Sequence, residues 1–191
     1  MSAFSQQELK VLDWIDSSLR SDFLDMAMPV LSFLGDIGWF WIALAALCLV
    51  KKETRKIGFT MALSLILSLL AVNTILKPMA ARLRPYEVSA AIVPLIPKPS
   101  GFSFPSGHTS ASFAAATAIF CHSVWLGRAA LLLAACIGFS RLYLNVHFPS
   151  DVLAGAAIGY ALGRLADMLV NSLRLHYSAR QRKRRRTKLS H

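Results

Sequence analysis

The chain has 191 residues, enough for one domain, with 55% hydrophobic and only 16% charged residues. A mean hydropathy of +0.49 excludes an ordinary soluble globule. The net charge of +11 raises nucleic acid as a partner, but much of it lies in one terminal stretch and no basic patch interleaved with aromatics occurs elsewhere, so no nucleic acid is expected. Uncharged runs approaching the ~20 residues of a bilayer-crossing helix instead predict an all-α fold, a polytopic membrane helix bundle with five to six transmembrane helices. Cys48, Cys121 and Cys136 lie scattered in apolar runs without paired or ligand-like spacing and read as small buried hydrophobes.

Three units follow in order. Residues 1–22 read as an amphipathic helix: Ser5 and Glu8 form a candidate capping box, and Leu9, Leu12, Ile15 and Leu19 recur at helical spacing. It lies on the membrane surface with Trp14 at the interface, or packs as a cytosolic cap. The polar start has no basic-then-apolar pattern, so no cleavable signal is expected. Residues 23–173 hold the spans. Phe23 to Leu34 is short and contains Pro29, a partial or tilted crossing, and Gly35, Asp36 and Gly38 punctuate it. Ile37 to Val50 follows, with Trp39 and Trp41 placed like an aromatic belt. After a basic turn (Lys51, Lys52, Arg55, Lys56) comes the clearest span, Ile57 to Leu76.

Lys77 to Phe104 reads as a long proline-rich loop, its stretch from Glu87 to Ser103 a lid or a strap. Spans at about 107–126, 129–143 and 152–170 follow, with Arg128 in the turn between the first two and Arg164 spaced to pair with Asp167. The third unit, residues 174–191, is a basic tail. A nucleic-acid arm is one reading of it, and a cytoplasmic segment held on anionic headgroups is the preferred one. Basic turns and tail alternate with polar clusters, which places the C-terminus in the cytoplasm and the clusters on the extracytoplasmic face of a plasma or inner membrane. Five spans from Ile37 onward satisfy this alternation, and a sixth from the Phe23 segment would put the N-terminus inside.

Three polar clusters end apolar runs: Lys77 to Pro85, Pro105 to His108, and Ser140 to Asp151. Lys77 and Arg84, seven apart, share a face if the span continues as helix, or serve only as snorkelling anchors. Pro85 restrains Arg84 to an extended backbone. Ser106 is a candidate N-cap, and Gly107 admits a ligand close to the backbone, which makes an anion-binding helix start with His108 placed as general acid; plain capping explains Ser106 alone. Arg141 precedes His147 by six residues and Asp151 follows it by four. Asp151 can orient His147 as a nucleophile, or the two can close a helix cap.

The ordered set Lys, six residues, Arg-Pro; Pro-Ser-Gly-His; Ser-Arg, five residues, His, three residues, Asp resembles the type 2 phosphatidic acid phosphatase (PAP2) superfamily over about 57–170. That resemblance implies that Lys77, Arg84, Arg141, Ser106 and the Gly107 N–H hold a phosphate. His147 forms a phosphohistidine with Asp151 orienting it, and His108 protonates the leaving group, with no metal or other cofactor. The implied partner is a membrane lipid phosphate in the bilayer. Undecaprenyl diphosphate, cut to undecaprenyl phosphate by a bacterial enzyme of the cell envelope, is the preferred substrate, with phosphatidylglycerophosphate or phosphatidic acid as alternatives. A protein that binds or transports lipid phosphates without turnover is the reading from a different class.

Overall fold

A computed structural model of the chain describes residues 3–189, with side chains described over 5–174. The basic tail beyond Arg174 therefore lies outside the described side chains. Among the described residues the fold is all helical: α1 (Ala3–Leu19), α2 (Asp22–Leu34), α3 (Trp39–Val50), α4 (Arg55–Ser68), α5 (Lys77–Ala80), α6 (Pro85–Val88), α7 (Gly107–Phe120), α8 (Val124–Tyr143) and α9 (Pro149–Leu189). Three stretches are long and apolar enough to cross a membrane: Arg55–Val88, Val124–Tyr143 and Pro149–Arg174. A fourth arises if α2 and α3, bent by 45° at the 3₁₀ turn Asp36–Gly38, count as one broken span.

The bundle is built around α7. Small residues and hydroxyls (Thr109, Ser110, Ser112, Ala114 to Ala116) let α4, α8 and α9 close on it from several sides, which is why so short a helix is so deeply buried. Against α9 the approach is closest. A Cβ at Gly155, Gly159 or Gly163 would stand 2.7, 2.3 or 2.6 Å from the carbonyl oxygens of Ser106, Ser110 and Ala114, distances only glycine permits.

Several sequence expectations change here. Helix α7 ends at Phe120, earlier than expected, and Arg128 lies inside α8. Trp41 is no interfacial anchor: it is 1% exposed, and its indole N–H donates 2.9 Å to Ser112 Oγ. Arg164 does not pair with Asp167; it donates to Cys121 Sγ, while Asp167 takes His122 at 3.3 Å. Helix α1 turns Leu9, Leu12 and Ile15 into a core cluster with Tyr143, Leu144, Val146 and Phe148, at the same end of the bundle as the polar clusters, and leaves Trp14 exposed. It is already helical at Ser5, and Glu8 is spent on Arg82 and Ser150 instead of a capping box.

The Phe23 segment, α2, packs against the C-terminal end of α8. Tyr143 Oη donates to Asp25 at 2.6 Å, and Ser32 meets Arg141. The chain from Lys77 to Phe104 is not one loop. The helix runs on from Ser68 as a π-helical stretch, Leu69–Leu76, into α5 and stops where Ala81 turns left-handed (φ 45°). The break takes Lys77 and Arg84 off a common helix face. All three cysteines are free.

Candidate active site

The end of the bundle where α4 and α8 finish and α7 and α9 begin gathers the three clusters. Arg84 has the extended backbone that Pro85 imposes (φ −83°, ψ 161°). Its guanidinium is 2% exposed and donates to Gly101 O (2.9 Å), Val146 O (2.8 Å) and Ser100 O (3.3 Å), with Nη1 3.4 Å from His147 Nε2. These bonds pin the proline-rich segment over the site, helped by Tyr86 Oη on Pro99 O and the Ser103 N–H on Arg82 O. The segment is a strap.

Ser106 caps α7 as expected, accepting from Thr109 N, while its own N–H donates 3.0 Å to Asp151 O. It sits behind the site: Gly107 and His108 line the cavity and Ser106 does not. His108 Nε2 lies 2.6 Å from Asp36 Oδ1, presented by the sharp turn after Gly35. Arg141 is 2% exposed and bonds Ser32 Oγ, while its buried Nε has no partner. Lys77 lines the same cavity with no hydrogen-bond or ion-pair partner among the described residues.

His147 occupies the buried turn between α8 and α9, where Asn145 takes the left-handed backbone (φ 61°). Its Nδ1 is 3.4 Å from Asp151 Oδ2, and that oxygen also accepts from Phe148 N (2.9 Å) and from Ser103 Oγ. Nε2 is left on the cavity side beside Arg84. Burial above all pushes the imidazole from its ordinary 6.5 down to about 3; the Asp151 hydrogen bond opposes this, and the Arg141 and Arg84 charges add to it. Burial thus favours the neutral ring, and an Nδ1–H turned to Asp151 leaves Nε2 as the acceptor beside Arg84.

The cavity is about 800 Å³. Lys77, Arg84, Gly107, His108, Arg141 and His147 line one part of it, and it continues along α3 and α4 between Ile42, Ala45, Leu49, Leu65 and Leu69. Three cations and a helix start face a neutral imidazole, so the polar part suits an anion that the imidazole can attack. Among the described residues no group of three or more His, Cys, Asp or Glu gathers as a metal site.

Sequence reasoning missed Asp36, Ser103, the pairing of Arg82 with Asp151 (2.7 Å) and the reach of Glu8. For Asp36 a signal existed: a lone acid between two apolar runs is costly unless it has a task. Glu8 offered none, being 74 residues from its partner.

An apolar helix bundle that encloses a cation-lined, histidine-bearing pocket open to an apolar groove defines a membrane-embedded anion site. The PAP2 superfamily sequence pattern matches residues 53–173, and the chain belongs to that superfamily. It is 35% identical over 130 residues to an undecaprenyl-diphosphatase of Sulfolobus acidocaldarius, across 66% of this chain and 63% of that protein. It is 30% identical over 169 residues to a lipid A 4'-phosphatase of Bacteroides thetaiotaomicron, across 82% and 74%. A transmembrane PAP2-type phosphatidylglycerolphosphate phosphatase from Bacillus subtilis superposes with a TM-score of 0.73 at 26% identity, covering 90% of this chain and 88% of that one.

Proposed function

We propose that the chain is a membrane lipid phosphatase that removes the terminal phosphate of a lipid phosphate or diphosphate through a phosphohistidine. One observation carries this reading: His147 turns Nδ1 to Asp151 and Nε2 to a cavity that joins three cations to an apolar groove.

Lys77, Arg84, Arg141 and the Gly107 N–H hold the phosphate oxygens. The His147 Nε2 lone pair attacks phosphorus while the bond to the leaving oxygen breaks. His108, whose Nε2 is held by Asp36, gives that oxygen a proton from Nδ1. Water then attacks phosphorus, His108 takes its proton, the P–N bond breaks, and inorganic phosphate leaves with His147 neutral again. Asp151 and the cations stabilise the charge that develops. The groove along α3 and α4 accepts the lipid tail.

Undecaprenyl diphosphate is the preferred substrate, supported by the activity named for the Sulfolobus relative. The Bacillus structure supports phosphatidylglycerophosphate as the alternative. The chain lies in the cell membrane with the site end outside. Five crossings (α2 with α3 as one bent span, α4, α7, α8, α9) leave α1 on the site side, and the C-terminal tail rests on cytoplasmic anionic headgroups.

The test is phosphate release from short-chain prenyl diphosphate, phosphatidate and phosphatidylglycerophosphate in detergent with EDTA present. Release that persists in EDTA, is fastest on the diphosphate and is abolished by His147→Ala supports the reading. Unchanged turnover in His147→Ala removes the nucleophile, and binding without release in the wild type returns the chain to the non-catalytic class.

A further inference from the structure

The superfamily pattern begins at residue 53, yet a side chain far ahead of it reaches the nucleophile's surroundings. Glu8 on α1 is 5% exposed. Its Oε1 accepts from Ser150 N at 2.9 Å and its Oε2 pairs with Arg82 Nη2. The other edge of the same guanidinium donates 2.7 Å to Asp151 Oδ1 and 2.7 Å to Ser150 Oγ, and its plane lies 4.0 Å over the Phe148 ring. Arg82 thus stretches between two carboxylates, one of which orients His147. None of Glu8, Arg82 and Asp151 lines the cavity.

A pair that merely fastens α1 is the simpler account. But α1 already has a fastener in Leu9, Leu12 and Ile15, and a second polar one in Asp16, which accepts from Asn145 at 2.7 Å. Burying further charge for anchorage alone brings little net gain. The charges around His147 point to another role. Arg84 and Arg141 face it as cations, Lys77 shares its cavity, and Asp151 is the one acid in contact with it among the described residues. Arg82 bound to Asp151 alone would draw that carboxylate's charge away from the imidazole. Glu8 shares the guanidinium and offsets it.

We propose that Glu8 is a positioning residue for the His147–Asp151 pair, acting through Arg82, so that α1 is part of the catalytic apparatus rather than only a cap. This rests on His147 being the nucleophile.

The experiment is a double-mutant cycle on the full-length protein in detergent, read as kcat and KM for short-chain prenyl diphosphate release. Glu8→Gln keeps the shape and an acceptor oxygen but removes the charge. It should lower kcat roughly tenfold, the effect of about one pKa unit at an acid–base partner, with KM nearly unchanged and the protein still folded at the assay temperature, its melting point lowered because the new amide N–H2 faces a donor. In an Arg82→Gln background, where Glu8 has no guanidinium to act through, the same change should leave kcat where Arg82→Gln put it. Wild-type kcat in Glu8→Gln, or an equal drop in both backgrounds, overturns the proposal. His147→Ala run alongside separates the readings: its residual turnover bears on the nucleophile, whereas the cycle bears on Glu8.

Discussion

Lys77 and Arg84 carry like charges into one cavity, yet the fold treats them differently, and replacing each by methionine should separate phosphate binding from architecture. Arg84 donates to Gly101 O at 2.9 Å and Val146 O at 2.8 Å, bonds that tie the strap and the His147 turn together. At roughly 1.5–3 kcal/mol for each of these two charge-assisted bonds, Arg84→Met should cost about 3–6 kcal/mol, the upper end for a point change. Lys77 has no hydrogen-bond or ion-pair partner among the described residues, so Lys77→Met should leave stability within about 0.5 kcal/mol. Its absence removes one charged contact to the phosphate, ~2–3 kcal/mol, and so roughly 30- to 150-fold in kcat/KM. Thermal unfolding and phosphate release, measured in the same detergent, read both quantities. Melting of Arg84→Met with the wild type would refute the clamp, and wild-type kcat/KM in Lys77→Met would refute the contact.

Asp36→Asn should slow an alkyl phosphate at least tenfold while sparing an aryl phosphate, because a good leaving group has little need of the proton His108 delivers; equal losses on both would count against the tether. Ser103→Ala removes a donor from Asp151 Oδ2 and should lower kcat several-fold with KM unchanged, at a stability cost of about 1–2 kcal/mol, checked by steady-state kinetics beside a melt. The pH dependence of stability follows from His147. The folded imidazole resists protonation down to about 3, whereas the unfolded chain takes the proton near 6.5. Its contribution is complete above about pH 6.5 and is lost as pH falls towards 3, so wild-type stability should decline over that interval more steeply than that of His147→Gln in parallel melts.

The residues that line the cavity were legible because a phosphate site calls for particular types. A nucleophilic imidazole, its carboxylate, fixed cations and a glycine at a helix start leave a dense local signature, and the cavity gathers most of them. What holds them was not legible. Asp36, Arg82 and Glu8 meet their partners 72, 69 and 74 residues away, and nothing local marks such a pairing. Helix ends were blurred for a related reason. Hydropathy reads Leu76 as a span end, whereas the helix runs on through a π-helical stretch to Ala80 and stops where Ala81 turns left-handed. Hydropathy also cannot tell a lipid-facing tryptophan from a core one: Trp39 is 42% exposed and Trp41 1%.

The glycines that let α9 lie directly on α7 set a gauge for the chemistry at the top of those helices. His108 rides on the first turn of α7, and Asp151, which steers the other imidazole, rides on the first turn of α9. A slip of one helical turn, ~5.4 Å, would carry one past the reach of the other's phosphate. Three missing side chains, two of them well below the pocket, thus hold the distance between His108 and the His147–Asp151 pair, and added bulk at any of them would be felt first as misalignment above.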